Sequence, residues 1–308
     1  MEDNIKLSII CNTYNHERYI EDALNSFLRQ KCDFRYEILI HDDASTDNTQ
    51  KIIKDFQKRY PEIVKPIFQK ENQYSKNIRI SEVFQYPRVR GDYIAFCEGD
   101  DYWIDGNKLK KQVDFLDRNP NIDICAHGAQ MVVANTKEII GTITPAKNDI
   151  IFTLDDVILG GGGFVATNSL VYRSQLTKNL PSFRKYLALD YSMQIYGSLR
   201  GGMGYLSEVM SSYRVLSDSS WTMSMQRNPE KYVEHIEKVN RMLDILDVDT
   251  QFKYSKVIEK EKIINEIEIL KTKKDYKSIF SDRYLCYRKE LSLKEYIKLV
   301  IKRLLYFS

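Results

Sequence analysis

Residues 93–103 read YIAFCEGDDYW. An apolar run passes straight into Glu98, Gly99, Asp100 and Asp101. Carboxylates this close repel one another, and burying them unpaired is costly, so a cation belongs beside them. Carboxylates on a strand end and its following turn suit a hard divalent ion. Mg2+ or Mn2+ takes one or two of them and completes its shell with water and phosphate oxygens. A solvated turn leading into the next helix is the plainer reading of the same four residues. A second acidic group stands at Asp42-Asp43-Ala44-Ser45-Thr46-Asp47. Part of it is an Asx turn and helix cap. Capping needs only Ser45 or Asp47, which leaves Asp42 and Asp43 for another task. A carboxylate at a strand end can accept a hydrogen bond from a nucleobase N–H or a ribose hydroxyl.

The elements that must position these groups follow from periodicity. Leu7–Cys11 reads as a buried strand. The spacing of Tyr19, Ile20, Ala23, Leu24, Phe27 and Leu28 predicts a helix over 17–30. Tyr36–Ile40 is a second strand, and 46–60 a second helix with Ser45 at its N-cap. Val64–Gln69 and Tyr93–Cys97 are further strands, and Lys108–Arg118 is a helix stopped by Asn119-Pro120. Strands alternating with helices predict an α/β fold with a mostly parallel sheet covered on both faces. Polar residues gather at three strand ends: Asn12 to Asn15, Asp42-Asp43, and Glu98 to Asp101. Ligands of open α/β sheets bind there.

Residues 122–220 are mixed, with short strands at Ile124–Val133 and Ser169–Tyr172 and a flexible loop at Gly160–Gly163. Beyond about residue 229 the pattern becomes helical, over roughly 229–247, 253–280 and 292–306. The expected division is therefore a domain over 1–225 and a helical region over 226–308. The chain has 308 residues, 43% hydrophobic, with a net charge of +3. That charge is too small to point to nucleic acid. The five cysteines are scattered without a CxxC pair, which suggests reduced thiols rather than disulfides or zinc. The acidic Met1-Glu2-Asp3 start does not resemble a signal peptide. No run reaches the ~20 apolar residues of a membrane span. The expected location is cytoplasmic, with peripheral contact at the inner face of the membrane.

Competing nucleotide folds leave little trace. No GxGxxG follows the first strand and no GxxxxGK[ST] occurs, so phosphates are not held in a glycine cradle. A sugar-1-phosphate nucleotidyltransferase would want a basic, glycine-rich loop after the first strand, where Asn12-Thr13-Tyr14-Asn15-His16 stands instead. The blocks LSIICNTYNHERYIEDALNSFLRQ, YEILIHDDASTDNT and GDYIAFCEGDDYWIDGNKLKKQVDFL, in that order and spacing, resemble glycosyltransferase family 2 with its GT-A fold. The resemblance covers about residues 5–120, more loosely to about 221.

The resemblance implies roles. Asn12 and Tyr14 would contact the base and ribose of a nucleotide-sugar donor, a UDP-sugar first. Asp43, with Asp42 beside it, would hold the base. Glu98, Asp100 and Asp101 match the acidic metal motif in an ExD form. Asp100 is the first expected ligand of Mn2+ or Mg2+ and Asp101 the second, with Glu98 on ribose or a metal-bound water. Asp190, in LALDY, matches the general base that an inverting transfer to a saccharide or lipid-linked saccharide requires. A helix N-terminal Asp favoured by the dipole is its alternative. Tyr213-Arg214-Val215-Leu216 falls where the family often shows YRxH, so Leu216 replaces a histidine. That departure leaves room for a fold that binds nucleotide sugars without turnover. Arg214 is open to a diphosphate contact or a structural ion pair, and Trp221 to stacking on an acceptor sugar.

The final helix carries its own pattern. Leu293, Tyr296, Ile297, Val300, Ile301 and Leu304 form one stripe, and Lys294, Lys298 and Lys302 another. Residues 250–308 hold 15 Lys and Arg against 8 Asp and Glu. Such a helix over 292–307 suits an anionic membrane surface. Docking on the protein's own body or pairing in a homodimer would bury the same stripe.

Overall fold

The computed structural model describes residues 4–215, 225 and 227–306; Leu216, Trp221 and Phe307 lie outside the described residues. Ten strands form one sheet: β1 (Leu7–Thr13), β2 (Tyr36–Asp42), β3 (Val64–Phe68), β4 (Tyr93–Phe96), β5 (Tyr102–Trp103), β6 (Ile124–Val133), β7 (Ile139–Ile143), β8 (Ile150–Phe152), β9 (Val171–Arg173) and β10 (Met203–Val215). The helices are α1 (Ile20–Leu28), α2 (Thr49–Arg59), α3 (Lys108–Arg118), α4 (Leu154–Gly160), α5 (Ser182–Tyr186), α6 (Asp190–Ser198), α7 (Pro229–Asp249), α8 (Ser255–Thr272), α9 (Leu285–Glu290) and α10 (Leu293–Leu305).

The spatial order is β3-β2-β1-β4-β9-β6-β10-β5, with β7 on β6 and β8 on β10. The first four strands are parallel, as the alternating pattern predicts. The second half is mixed: β9 runs antiparallel to both β4 and β6, and β10 is parallel to β6. β1 sits at the centre, and Leu7, Ile9, Ile10 and Cys11 have no exposed surface. A strand paired on both edges and covered on both faces needs that continuous apolar run. Phe27 of α1, Trp103 of β5 and Leu109, Val113 and Leu116 of α3 share its core cluster.

Some boundaries move. α2 starts at Thr49, so Ser45 is not its N-cap. Ser45 instead donates its hydroxyl to Asp42 Oδ2 at 2.5 Å, while Asp47 Oδ1 accepts the Thr49 N–H at 2.9 Å. Gly160 belongs to α4, and the glycine loop begins at Gly161, whose φ is 63°. The stretch expected as one helix over 253–280 breaks after Thr272. Cys11, Cys97 and Cys125 are buried free thiols, Cys32 is half-buried and Cys286 exposed.

The chain divides into two compact units. The larger runs to Leu180 and resumes from Ala188 through β10; the smaller holds Pro181–Leu187 and the helices from α7 onward. In the smaller unit α10 is anchored by Leu299, which packs with Ile267, Tyr276, Ile279 and Tyr284. The opposite side of α10 is uncovered: Leu293 is 76%, Leu304 69% and Leu305 72% exposed, with Ile297 and Ile301 about half exposed. The described residues contain no helix long and apolar enough to cross a membrane.

Candidate active site

From β1 the chain proceeds to β2 and β3 on one side, and β4 returns on the other. This reversal opens a crevice beyond the carboxyl ends of β1 and β4, the usual ligand position in such sheets. The register brings the polar ends together. Thr13 lies beside Asp42, the Gly99 N–H donates to the Asn12 carbonyl at 3.0 Å, and the Asp43 N–H donates to the Thr13 carbonyl at 2.9 Å. Gly99 is required here. A Cβ at this position would lie 2.8 Å from Thr13 Oγ1 and 3.0 Å from His16 Nδ1.

The three acidic residues of the 98–101 turn have distinct surroundings. Asp101 is 2% exposed. Its Oδ1 accepts the Arg214 N–H at 2.8 Å and its Oδ2 accepts the Asn168 amide at 2.9 Å. Asn168 is itself held by Ser211 Oγ and the Ser212 carbonyl. Asp101 thus joins the turn to β10, with each of its oxygens already accepting a hydrogen bond. Asp100 is only partly buried, and its Oδ1 has no hydrogen-bond partner. Glu98 keeps solvent on one side.

The field in the crevice is strongly negative. Glu98 is raised above the usual glutamate range, by partial loss of solvent around its carboxyl and by the charges of Asp100, Asp190 and Asp101. Asp101 is raised by burial first and by Asp100 next, against the Arg214 and Asn168 contacts. Burial and the charges of Asp100, Glu98 and Asp101 also push up the Cys11 thiol behind them. An unpartnered carboxylate oxygen at the centre of this field fits a divalent cation, with Asp100 as the residue that would hold it.

Asp190 opens α6, exposed, with its charge felt at Glu98. Thr167 Oγ1 donates to Asp190 Oδ2 at 2.6 Å. The fold therefore delivers Asp190 to the acidic turn from about ninety residues downstream. Asn12 donates to Ser81 Oγ at 3.0 Å, and its Oδ1 accepts from the buried Gln85 at 3.3 Å. Tyr14 is open, 42% exposed. Asp42 is fully buried and accepts from Ser45 and Gln50, so it builds the turn. Asp43 is 2% exposed, and its two oxygens accept the N–H groups of Gln73 and Tyr74 at 2.8 and 3.0 Å. It fastens the 72–77 loop to the end of β2.

Of the two roles open to Arg214, the structure realises the ion pair. The guanidinium, 1% exposed, donates to Asp22 and to the Asp100 carbonyl. It also lies over the rings of Tyr19 and Tyr102, 5.0 and 4.6 Å from their centroids. A buried guanidinium with these partners positions the acidic turn. Ser81, Gln85, Thr167 and Asn168 escape sequence reasoning because each acts through a long-range contact. His16, at the end of the Asn12–His16 stretch, places Nε2 3.9 Å from Asp100 Oδ2.

Comparison with known proteins agrees with this architecture. An uncharacterized protein of Mycobacterium tuberculosis is 34% identical over 217 residues, 70% of this chain and 60% of its own length. This chain thus aligns with somewhat over half of that relative. Staphylococcus aureus TarS, a poly(ribitol-phosphate) β-N-acetylglucosaminyltransferase solved with UDP-GlcNAc, superposes with a TM-score of 0.58 at 18% identity, over 96% of this chain and 79% of that one. A mannosyltransferase from Pyrobaculum calidifontis, solved with GDP-Man and Mn2+, gives 0.58 at 14% identity, over 98% and 81%. Residues 8–171 match the sequence profile of Glycosyl transferase family 2. The span holds β1, β2, β4 and the whole acidic turn, and this chain belongs to that family.

Proposed function

We propose that this protein is an inverting, metal-dependent glycosyltransferase that moves a sugar from a nucleotide sugar, a UDP-sugar first, to a hydroxyl of a saccharide or lipid-linked saccharide. The observation that carries this reading is that the adjacent residues Thr167 and Asn168 hold Asp190 and Asp101, which brings Asp190 to the acidic turn of Glu98 and Asp100. Bound at Asp100, Mn2+ or Mg2+ would supply charge neutralisation for the departing diphosphate. Asn12 and Tyr14, at the end of β1, would contact the nucleoside, and Glu98 a ribose hydroxyl. Asp43 is one side of the base pocket through the loop it fastens.

Asp190 takes the proton from the acceptor hydroxyl. That oxygen attacks the anomeric carbon as the bond from carbon to the diphosphate oxygen breaks, and the nucleoside diphosphate leaves with the electron pair. Attack opposite the leaving group turns an α-linked donor into a β-linked product. Thr167 fixes the carboxylate that receives the proton. The poly(ribitol-phosphate) substrate of TarS supports an acceptor in cell-surface polysaccharide synthesis.

The uncovered stripe of α10 supports contact with an anionic bilayer at its inner face, where such acceptors would be presented. Lys294, Lys298 and Lys302 are all exposed along its flank. The test of the transfer reading is release of nucleoside diphosphate from a panel of UDP-, GDP- and dTDP-sugars, with and without Mn2+. Metal-dependent release from one of them is expected. Tight nucleotide binding without turnover on any donor or acceptor would instead make this a nucleotide-sugar binding protein.

A further inference from the structure

His16 lies in the turn between β1 and α1, and its ring faces the acidic turn. The ring is mostly buried, 13% exposed, and Nε2 is 3.9 Å from Asp100 Oδ2. That gap is too long for a hydrogen bond. It is within the span of two ligands on one ion, since bonds of about 2.0–2.1 Å reach across at most about 4.2 Å. The His16 backbone is fixed, because its carbonyl accepts from Tyr19 and Ile20 N–H at 2.9 and 2.8 Å. The ring meets Tyr19 edge-on, with centroids 6.2 Å apart. Gly99 leaves the space that lets Nδ1 lie against the turn. His16 Nδ1 and Asp100 Oδ1 are both buried without a hydrogen-bond partner. A fixed imidazole thus presents Nε2 to a carboxylate whose other oxygen has no hydrogen-bond partner.

We propose that His16 Nε2 is the second protein ligand of the divalent cation held by Asp100. This rests on the metal-dependent reading above and adds to it a nitrogen ligand from the first strand's turn. Among the described residues no group of three His, Cys, Asp or Glu side chains gathers as a metal site. A two-residue N,O pair therefore leaves the other positions to diphosphate oxygens and water. An imidazole also favours a transition ion over Mg2+. The pair does this without any histidine at position 216, where this chain carries Leu216.

The test is electron spin-echo spectroscopy of Mn2+ bound with UDP, and in parallel GDP, to the full chain. A directly coordinated nitrogen gives a 14N modulation, which should convert to the 15N pattern in protein labelled only at histidine and vanish in His16→Ala. Calorimetry should show Mn2+ affinity at least about 10-fold weaker in that variant, by the scale of losses at metal sites, with a smaller loss for Mg2+. His16→Gln, which keeps an oxygen ligand, should recover part of the affinity without the nitrogen signal, provided its melting temperature matches wild type. Mn2+ bound with no histidine signal and with unchanged affinity in His16→Ala would overturn the role of His16 while leaving Asp100 in place. No Mn2+ bound by wild type with any nucleotide would overturn both.

Discussion

The backbone N–H of Arg214 donates to Asp101 Oδ1 at 2.8 Å, while the guanidinium of the same residue donates to the carbonyl of Asp100. One residue near the end of β10 thus holds two consecutive residues of the acidic turn. The two aspartates it holds have separable tasks. Asp101→Asn places an amide donor against two existing donors, Arg214 N–H and the Asn168 amide. This should cost about 1–3 kcal/mol and lower Tm by roughly 2–4 °C per kcal/mol. Asp100→Asn removes a repelling charge and should leave Tm unchanged or higher while abolishing metal-assisted nucleotide binding. Thermal melts of both variants, read beside Mn2+ titrations, check the division. Equal melting temperatures with equal loss of Mn2+ would refute it.

Arg214→Lys should prove disruptive for the same reason. A lysine cannot donate to Asp22 and the Asp100 carbonyl while lying flat between Tyr19 and Tyr102. The expected result is a Tm lower by several degrees, with UDP affinity little changed in the folded fraction. An unaltered melt accompanied by lost UDP affinity would return Arg214 to the diphosphate.

Asp190→Asn should lower kcat by about 10²–10⁴-fold, the usual worth of a general base, with nucleotide affinity nearly intact. Thr167→Val should give a smaller loss of the same kind, since it removes only the hydrogen bond that orients the carboxylate. Single-turnover kinetics on both variants make the comparison. A large rise in donor KM with kcat preserved would place Asp190 in donor binding instead.

Lys108 carries a pH signature of its own. It is fully buried, with its ammonium 4.0 Å from the centroid of Trp103, and burial pulls its pKa down to about 7. An unfolded lysine titrates near 10.4. Between those values the unfolded chain binds more protons than the native one, so this residue makes stability rise with pH across that window. Lys108→Met removes the effect. The Tm advantage of the variant should be largest at pH 7 and shrink toward pH 9. A constant difference across that range would show that Lys108 is not the group responsible.

The α10 stripe makes a membrane prediction. Wild type should sediment with vesicles containing phosphatidylglycerol and remain free with phosphatidylcholine alone. Ile297→Glu combined with Leu304→Glu should abolish sedimentation without changing Tm, because both side chains face away from Leu299. Failure to bind anionic vesicles, together with a dimer in analytical ultracentrifugation that the same double variant dissociates, would assign the stripe to a second copy.

Much of this could be read from the chain before any coordinates. LSIIC and YEILI announce central parallel strands because both faces of such strands must be apolar, and the polar residues that end them mark the crevice. The partition of roles among the carboxylates was not legible. Asp100 and Asp101 are adjacent and chemically identical, and only Asn168 and Arg214, 67 and 113 residues away, decide which one is spent on structure. The approach of His16 to Asp100 is not legible along the chain either, because the two residues are 84 positions apart and meet only across neighbouring strand ends. The mixed second half of the sheet escaped for a similar reason, since the three residues of β9 carry too little pattern to fix their direction.

The most direct test of the central claim is calorimetric titration of UDP, GDP and dTDP into wild type and Asp100→Ala, each with and without Mn2+. The structure predicts that one nucleotide binds wild type in a Mn2+-dependent manner and that the variant loses this dependence while keeping its fold. Binding that is indifferent to Mn2+, or identical in the two proteins, would contradict a metal held at Asp100 and leave the acidic turn as a structural feature alone.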